Sequence, residues 1–121
     1  MRTREDIEAF LNRSGHPHKE VEKHTWLVKD PSEGRDNVVI HLAGDLILFR
    51  LKVLELASVD ASKTEALLRK VLEINGEDMI HGSYGIVDDA LIMTATLRLE
   101  NLDYSEFSGT LDDFSLAITN H

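Results

Sequence analysis

Apolar and polar positions alternate with two different periods along this chain, and the switches between them mark its elements. Ile7, Phe10 and Leu11 fall at i, i+3 and i+4, which predicts a first helix. Thr3 offers a hydroxyl as its N-cap, and Glu5 and Asp6 put negative charge at its positive end. Gly15 ends it through the left-handed conformation, and Pro17 prevents its resumption. An apolar stripe this short must lean on a larger sheet.

From about residue 20 to 56 the period falls to two. Residues 20–29 predict one strand, with Trp26 and Val28 on one side and Leu27 on the other. Asp30-Pro31-Ser32-Glu33-Gly34 is a polar turn, residues 37–43 a second strand, Gly44-Asp45 a tight turn and residues 46–56 a third strand. In that strand Ile47, Phe49, Leu51 and Val53 share one face, while Leu46, Leu48, Leu54 and Leu56 flank Arg50 and Lys52 on the other. Two apolar faces suit a central strand covered on both sides, or a sheet with one face open to a partner. On the second alternative Leu46, Leu48, Leu54 and Leu56 are the candidate partner-binding residues.

The period then returns to 3.6. Ser62 and Glu65 have the form of a capping box, and Leu67, Leu68, Val71, Leu72 and Ile74 make an apolar stripe. Asn75-Gly76 predicts the stop of this helix. Residues 82–87 and 90–100 read as a hairpin turning at Asp88-Asp89, where short polar side chains tolerate positive φ. Its longer arm places Leu91, Met93, Ala95, Leu97 and Leu99 inward and Ile92, Thr94, Thr96 and Arg98 outward. Asp103 and Glu106 cap a last helix, whose Phe107, Leu111, Phe114 and Ile118 form a seam expected to pack on the sheet, a dimer contact being the alternative. The order α-β-β-β-α-β-β-α predicts an α+β fold with a five-stranded antiparallel sheet and three helices, and 121 residues suit one domain, 1–121.

Charge changes this picture more than composition does. Hydrophobic residues at 42% and charged residues at 29% describe an ordinary globular chain, with no apolar run long enough to span a bilayer. No signal-peptide pattern opens the chain and there is no cysteine, so a cytoplasmic site without disulfides is expected. The net charge is −9. Residues 1–72 hold twelve basic and twelve acidic side chains, whereas residues 73–121 hold Arg98 against ten acids. The basic residues form no cluster along the chain, which argues against nucleic acid and toward a protein partner, basic or amphipathic where it meets the acidic half.

Little in the sequence points to catalysis. His16-Pro17-His18, with His24 nearby, could serve a metal- or small-molecule-responsive regulator, although zinc needs three or four converging ligands and the spacing supplies no third. His41, His81 and His121 pair with no recognisable nucleophile. Asp88-Asp89 is turn chemistry, and Asp112-Asp113 lies on the wet side of the last helix. No phosphate loop, dinucleotide fingerprint, nucleophile elbow or metalloprotease motif occurs. The expectation is a non-enzyme with no cofactor.

The run Glu65-Ala66-Leu67-Leu68-Arg69-Lys70-Val71-Leu72-Glu73-Ile74-Asn75-Gly76, followed by Gly82-Ser83-Tyr84-Gly85-Ile86-Val87-Asp88-Asp89-Ala90-Leu91-Ile92-Met93, resembles the core of the YbjN and CesT-like group. Leu72, Asn75, Gly82 and Gly85 match its helix-end and hairpin positions, and Leu99-Glu100-Asn101-Leu102 matches the entry to its last helix. The group includes small acidic chaperones of bacterial type III secretion and bacterial proteins of regulatory role. The resemblance implies a protein client or regulatory partner bound without catalysis, by a homodimer that presents apolar strand and helix surfaces. It also implies structural roles for the matched residues, with Asn75 ending the helix and the two glycines permitting the hairpin.

Overall fold

A computed structural model describes residues 2–29, 37–77 and 82–120, with backbone alone for 37 and 115–120. The turn expected at 30–34, the side chain of Ile118, and His81 and His121 lie outside the described residues.

Helix α1 (Arg4–Ser14) begins where the sequence places it. The Thr3 backbone N–H donates to Asp6 at 2.8 Å in a capping box, and Gly15 closes the helix at φ 76°. Then comes the first departure. Residues 18–29 form two strands, β1 (His18–Glu22) and β2 (Thr25–Lys29), because the chain reverses at Lys23-His24, with His24 at φ 65°. Nothing in that pair of residues has the asparagine-glycine signature of a tight turn. The sheet accordingly has six strands rather than five.

Strands β3 (Asn37–Ala43) and β4 (Leu46–Glu55) meet at the Gly44-Asp45 turn, and β5 (Ser83–Val87) and β6 (Ala90–Arg98) at Asp88-Asp89, where both residues have positive φ. All pairings are antiparallel and the order is β1-β2-β3-β4-β6-β5. Helix α2 (Ala61–Glu77) carries the chain from β4 to the far edge, and β6 returns between them.

One face of the sheet is the core. Trp26, Ile40, Ile47, Phe49, Leu51 and Met93 are fully buried there against Ile7 and Leu11 of α1 and against Phe107, Leu111 and Phe114 of α3 (Tyr104–Asn120). The Phe107 ring lies 5.5 Å from Phe10 and 5.6 Å from Phe49, so it joins both terminal helices to the central strand. The seam of α3 therefore packs on the sheet as expected. The Asp103/Glu106 cap is present too, with Glu106 N–H donating to the Asp103 carboxylate at 2.7 Å.

A polar lock fastens α1 over β1 and β2. Arg4 makes a paired contact with the Glu20 carboxylate and lies over the Trp26 ring, whose indole N–H donates to Glu8 at 2.7 Å. The Arg4 hydrogen bond holds the Glu20 carboxyl below the ordinary carboxylate range, and the Thr3 N–H does the same for Asp6. Such groups stabilise the fold above their unfolded pKa, and that contribution disappears as pH falls through the depressed folded values. Glu20→Gln is expected to lower the urea midpoint at pH 7 and to differ progressively less from wild type toward pH 3. A difference that stays constant or grows on acidification would contradict the lock.

Candidate interaction surfaces

The α2–β5 edge departs most from the sequence reading. The N-cap of α2 is Asp60, not Ser62: the Asp60 carboxylate accepts from the Ser62 N–H at 3.1 Å and from its hydroxyl at 3.0 Å. The helix also runs through Asn75-Gly76 to Glu77. Asn75 is therefore a clamp and not a stop. Its amide donates to the Tyr84 carbonyl at 3.1 Å and accepts from the Tyr84 N–H at 2.7 Å, so it occupies the backbone edge of β5 as a neighbouring strand would.

The two matched glycines have different reasons. Neither has positive φ. A Cβ at Gly82 would stand 3.0 Å from Met93 Cε, 3.2 Å from Phe114 Cε1 and 3.3 Å from the Thr94 carbonyl, so close approach excludes a side chain there. At Gly85 a Cβ would stand in open space, and the residue lines a gap beside α2.

That gap belongs to an apolar surface. Val71 and Ile74 are buried in the core, but Leu72, expected in the same stripe, is 67% exposed. The helix carries two stripes: Leu67, Val71 and Ile74 point inward, while Leu68 and Leu72 are turned about 100° around the axis. The second stripe, with Ile86 at 53% exposure, flanks a cleft of about 120 Å³ floored by Val71, Tyr84 and Leu91. Burial pushes the Tyr84 phenol above its ordinary pKa. Helix α2 has Lys63, Arg69 and Lys70 against Glu65, Glu73 and Glu77, so it is electrically neutral within a chain of −9.

The opposite sheet face is the second surface. The four leucines expected to share it do not. A bulge between Lys52 and Leu54 shifts the alternation, so Leu54 pairs with Leu91 on the core side, and Leu54 and Leu56 pack against the core. Val53 is the extra residue at this bulge, and it packs against the core with the Ile47–Phe49–Leu51 row as expected. Leu46 and Leu48 do lie on the outer face, half-exposed, with Leu27 and Val39. None of these four belongs to the core cluster.

The described histidines do not assemble. His18 Nδ1 meets the His16 carbonyl at 2.9 Å, its Nε2 lies 3.4 Å from Glu8, His24 sits in the β1–β2 turn, and His41 bonds Thr25 at 2.7 Å. Among the described residues no three metal-ligating side chains converge, and no helix is long and apolar enough to cross a membrane.

An antiparallel sheet of this order, with helices on one face and an unpartnered apolar helix–edge surface, is the type III secretion chaperone-like fold. The chain belongs to the family described as CesT_Tir_1, which its sequence matches over residues 1–121. Solved structures share the fold at low identity. A chain of the heterodimeric ExoU–SpcU complex from the type III secretion system of Pseudomonas aeruginosa matches with a TM-score of 0.72 and 14% identity, covering 93% of this chain and 92% of that one. YbjN of E. coli, described as a putative transcription regulator, matches at 0.67 and 16%, covering 97% and 89%. The Yersinia pestis type III secretion chaperone SycH, in complex with a fragment of YscM2, matches at 0.65 and 11%, covering 93% of each chain. No curated protein sequence matches the chain.

Proposed function

We propose that this domain works by binding another protein, without catalysis, as a homodimer joined through the α2–β5 face. The observation that carries the dimer is the exposure of Leu72 and Ile86 on either side of an open apolar cleft. Taking such a side chain fully out of water contributes about 1.5–3 kcal/mol, so the four in a symmetric pair supply at most about 6–12 kcal/mol. That lies within the range association costs, roughly 4–15 kcal/mol. A second copy fits better than a charged partner because α2 is a neutral helix, and β5 is uncharged, in a chain of −9. Its Glu65, Arg69 and Glu73 also lie in an i, i+4 row that a two-fold axis could set against itself with opposite charges facing. Binding of a protein client is supported by the fold relatives solved with protein partners.

Light scattering tests the dimer directly. Wild type is expected at twice 13.6 kDa, and Leu72→Glu at the monomer mass with an unchanged circular-dichroism spectrum. A monomeric wild type at about 100 μM, or a Leu72→Glu variant that stays dimeric, would overturn this interface.

A further inference from the structure

The pairing register sorts the basic residues of the strands onto one side of the sheet. On the outer face stand Lys19 of β1, Lys29 of β2, Arg50 and Lys52 of β4 and Arg98 of β6, against two acids at these strand positions, Glu22 and Glu55. Lys52 is bound to Glu55, but among the described residues Lys19, Arg50 and Arg98 have no carboxylate partner. In a chain of −9 this face is basic. One cross-strand row reads Lys19, Leu27, Val39, Arg50, Thr94, an apolar pair between two cations.

We propose that this outer face binds an acidic, amphipathic peptide segment, with apolar side chains on Leu27, Val39 and Leu48 and carboxylates on Lys19 and Arg50. The proposal rests on the protein-binding reading above and names its partner's chemistry. Lys19 and Arg50 are three strands apart, about 14 Å at the usual strand spacing. An extended segment rises about 3.4 Å per residue, so acids at i and i+4 reach both cations while an apolar residue at i+2 lies over the middle of the row. The sheet edges offer no competing route. The β5 edge is occupied at Tyr84 by Asn75, and β1 is bulged and carries Lys19, Glu20 and Glu22. Nucleic acid fits less well, because Trp26 and Phe49 lie on the core side and, among the described residues, the strands present on this face no Trp, Tyr or Phe on which a base could stack, only the His41 imidazole, which is bonded to Thr25.

Three labelled probes decide the question on the full chain at low and high salt: a peptide repeating Glu-Thr-Leu-Thr, its Lys-Thr-Leu-Thr counterpart, and single-stranded oligodeoxythymidine. The acidic peptide is expected to bind with an affinity that falls as salt rises, and Lys19→Glu with Arg50→Glu to weaken it by about tenfold or more. Both substitutions are at exposed positions, and an unchanged melting curve separates lost binding from lost folding. Leu72→Glu should bind the peptide as wild type does, which keeps this surface distinct from the dimer contact. No binding of the acidic peptide, equal binding of the basic one, or tighter binding of the oligonucleotide would overturn the proposal. A wild type that dimerises but ignores the acidic peptide leaves the dimer interface standing and removes this inference alone.

Discussion

Phe107→Ala is expected to destabilise the protein by about 3–5 kcal/mol, the range for removing a fully buried aromatic side chain. Phe107 has no exposed surface and touches Phe10 on α1 and Phe49 on β4, so the cavity opens where α1, α3 and the sheet meet. None of these elements can collapse into it alone. Phe49 is held from a second side by Phe114 at 6.2 Å, and Phe10 by Tyr104 at 5.7 Å. For a chain of this length the loss corresponds to a fall in melting temperature of about 10–20 °C, read by calorimetry or circular dichroism. Phe107→Leu, which refills most of the volume, should recover more than half of it. A loss below about 1 kcal/mol for Phe107→Ala would show that this junction relaxes, against the close packing expected of a core.

Asn75→Ala is expected to cost about 2–3 kcal/mol, because it removes two hydrogen bonds to the Tyr84 backbone at once. Its consequence is local as well as global. With the clamp gone, β5 is tied to the sheet by β6 alone, so amide exchange should accelerate at Tyr84 and its strand neighbours well before it does in β3 and β4. Asn75→Asp separates the two bonds. It keeps the oxygen that accepts from the Tyr84 N–H and loses the amide donor, so it should fall between wild type and Asn75→Ala. Dimerisation should weaken in parallel, since the clamp positions Ile86 and Leu72 on either side of the cleft. If Asn75→Ala melts as wild type does, Asn75 is only a helix residue near a turn.

Legibility in the sequence followed the range of the interaction. The caps of α1 and α3, the hairpin turns at Gly44-Asp45 and Asp88-Asp89, and the buried seam Phe107, Leu111, Phe114 were readable because each depends on residues within a few positions of one another. The β1–β2 reversal was not, since Lys23-His24 carries no turn signature and period-two patterning runs across it. The bulge at Val53 was hidden for a similar reason. It shows only in what Leu54 faces, namely Leu91, thirty-seven residues further on. Leu72 was misplaced although the signal was present: five apolar residues over two turns are more than one buried stripe requires.

The sequence by itself determined the class of fold. Two hydrophobic periods in a fixed order yield an α+β domain with an antiparallel sheet, because local geometry sets which side chains share a face. It also determined a net charge of −9, but not where that charge acts. Along the chain the basic residues looked dispersed. Strand pairing brings Lys19, Arg50 and Arg98 onto one face, from positions up to seventy-nine residues apart, and turns their backs to the core. Only the tertiary structure decided that, and likewise that Asn75 ends at Tyr84, that Leu72 points to solvent, and that Gly82 is needed for space rather than for φ. Each of these depends on register between distant segments, which local sequence does not encode.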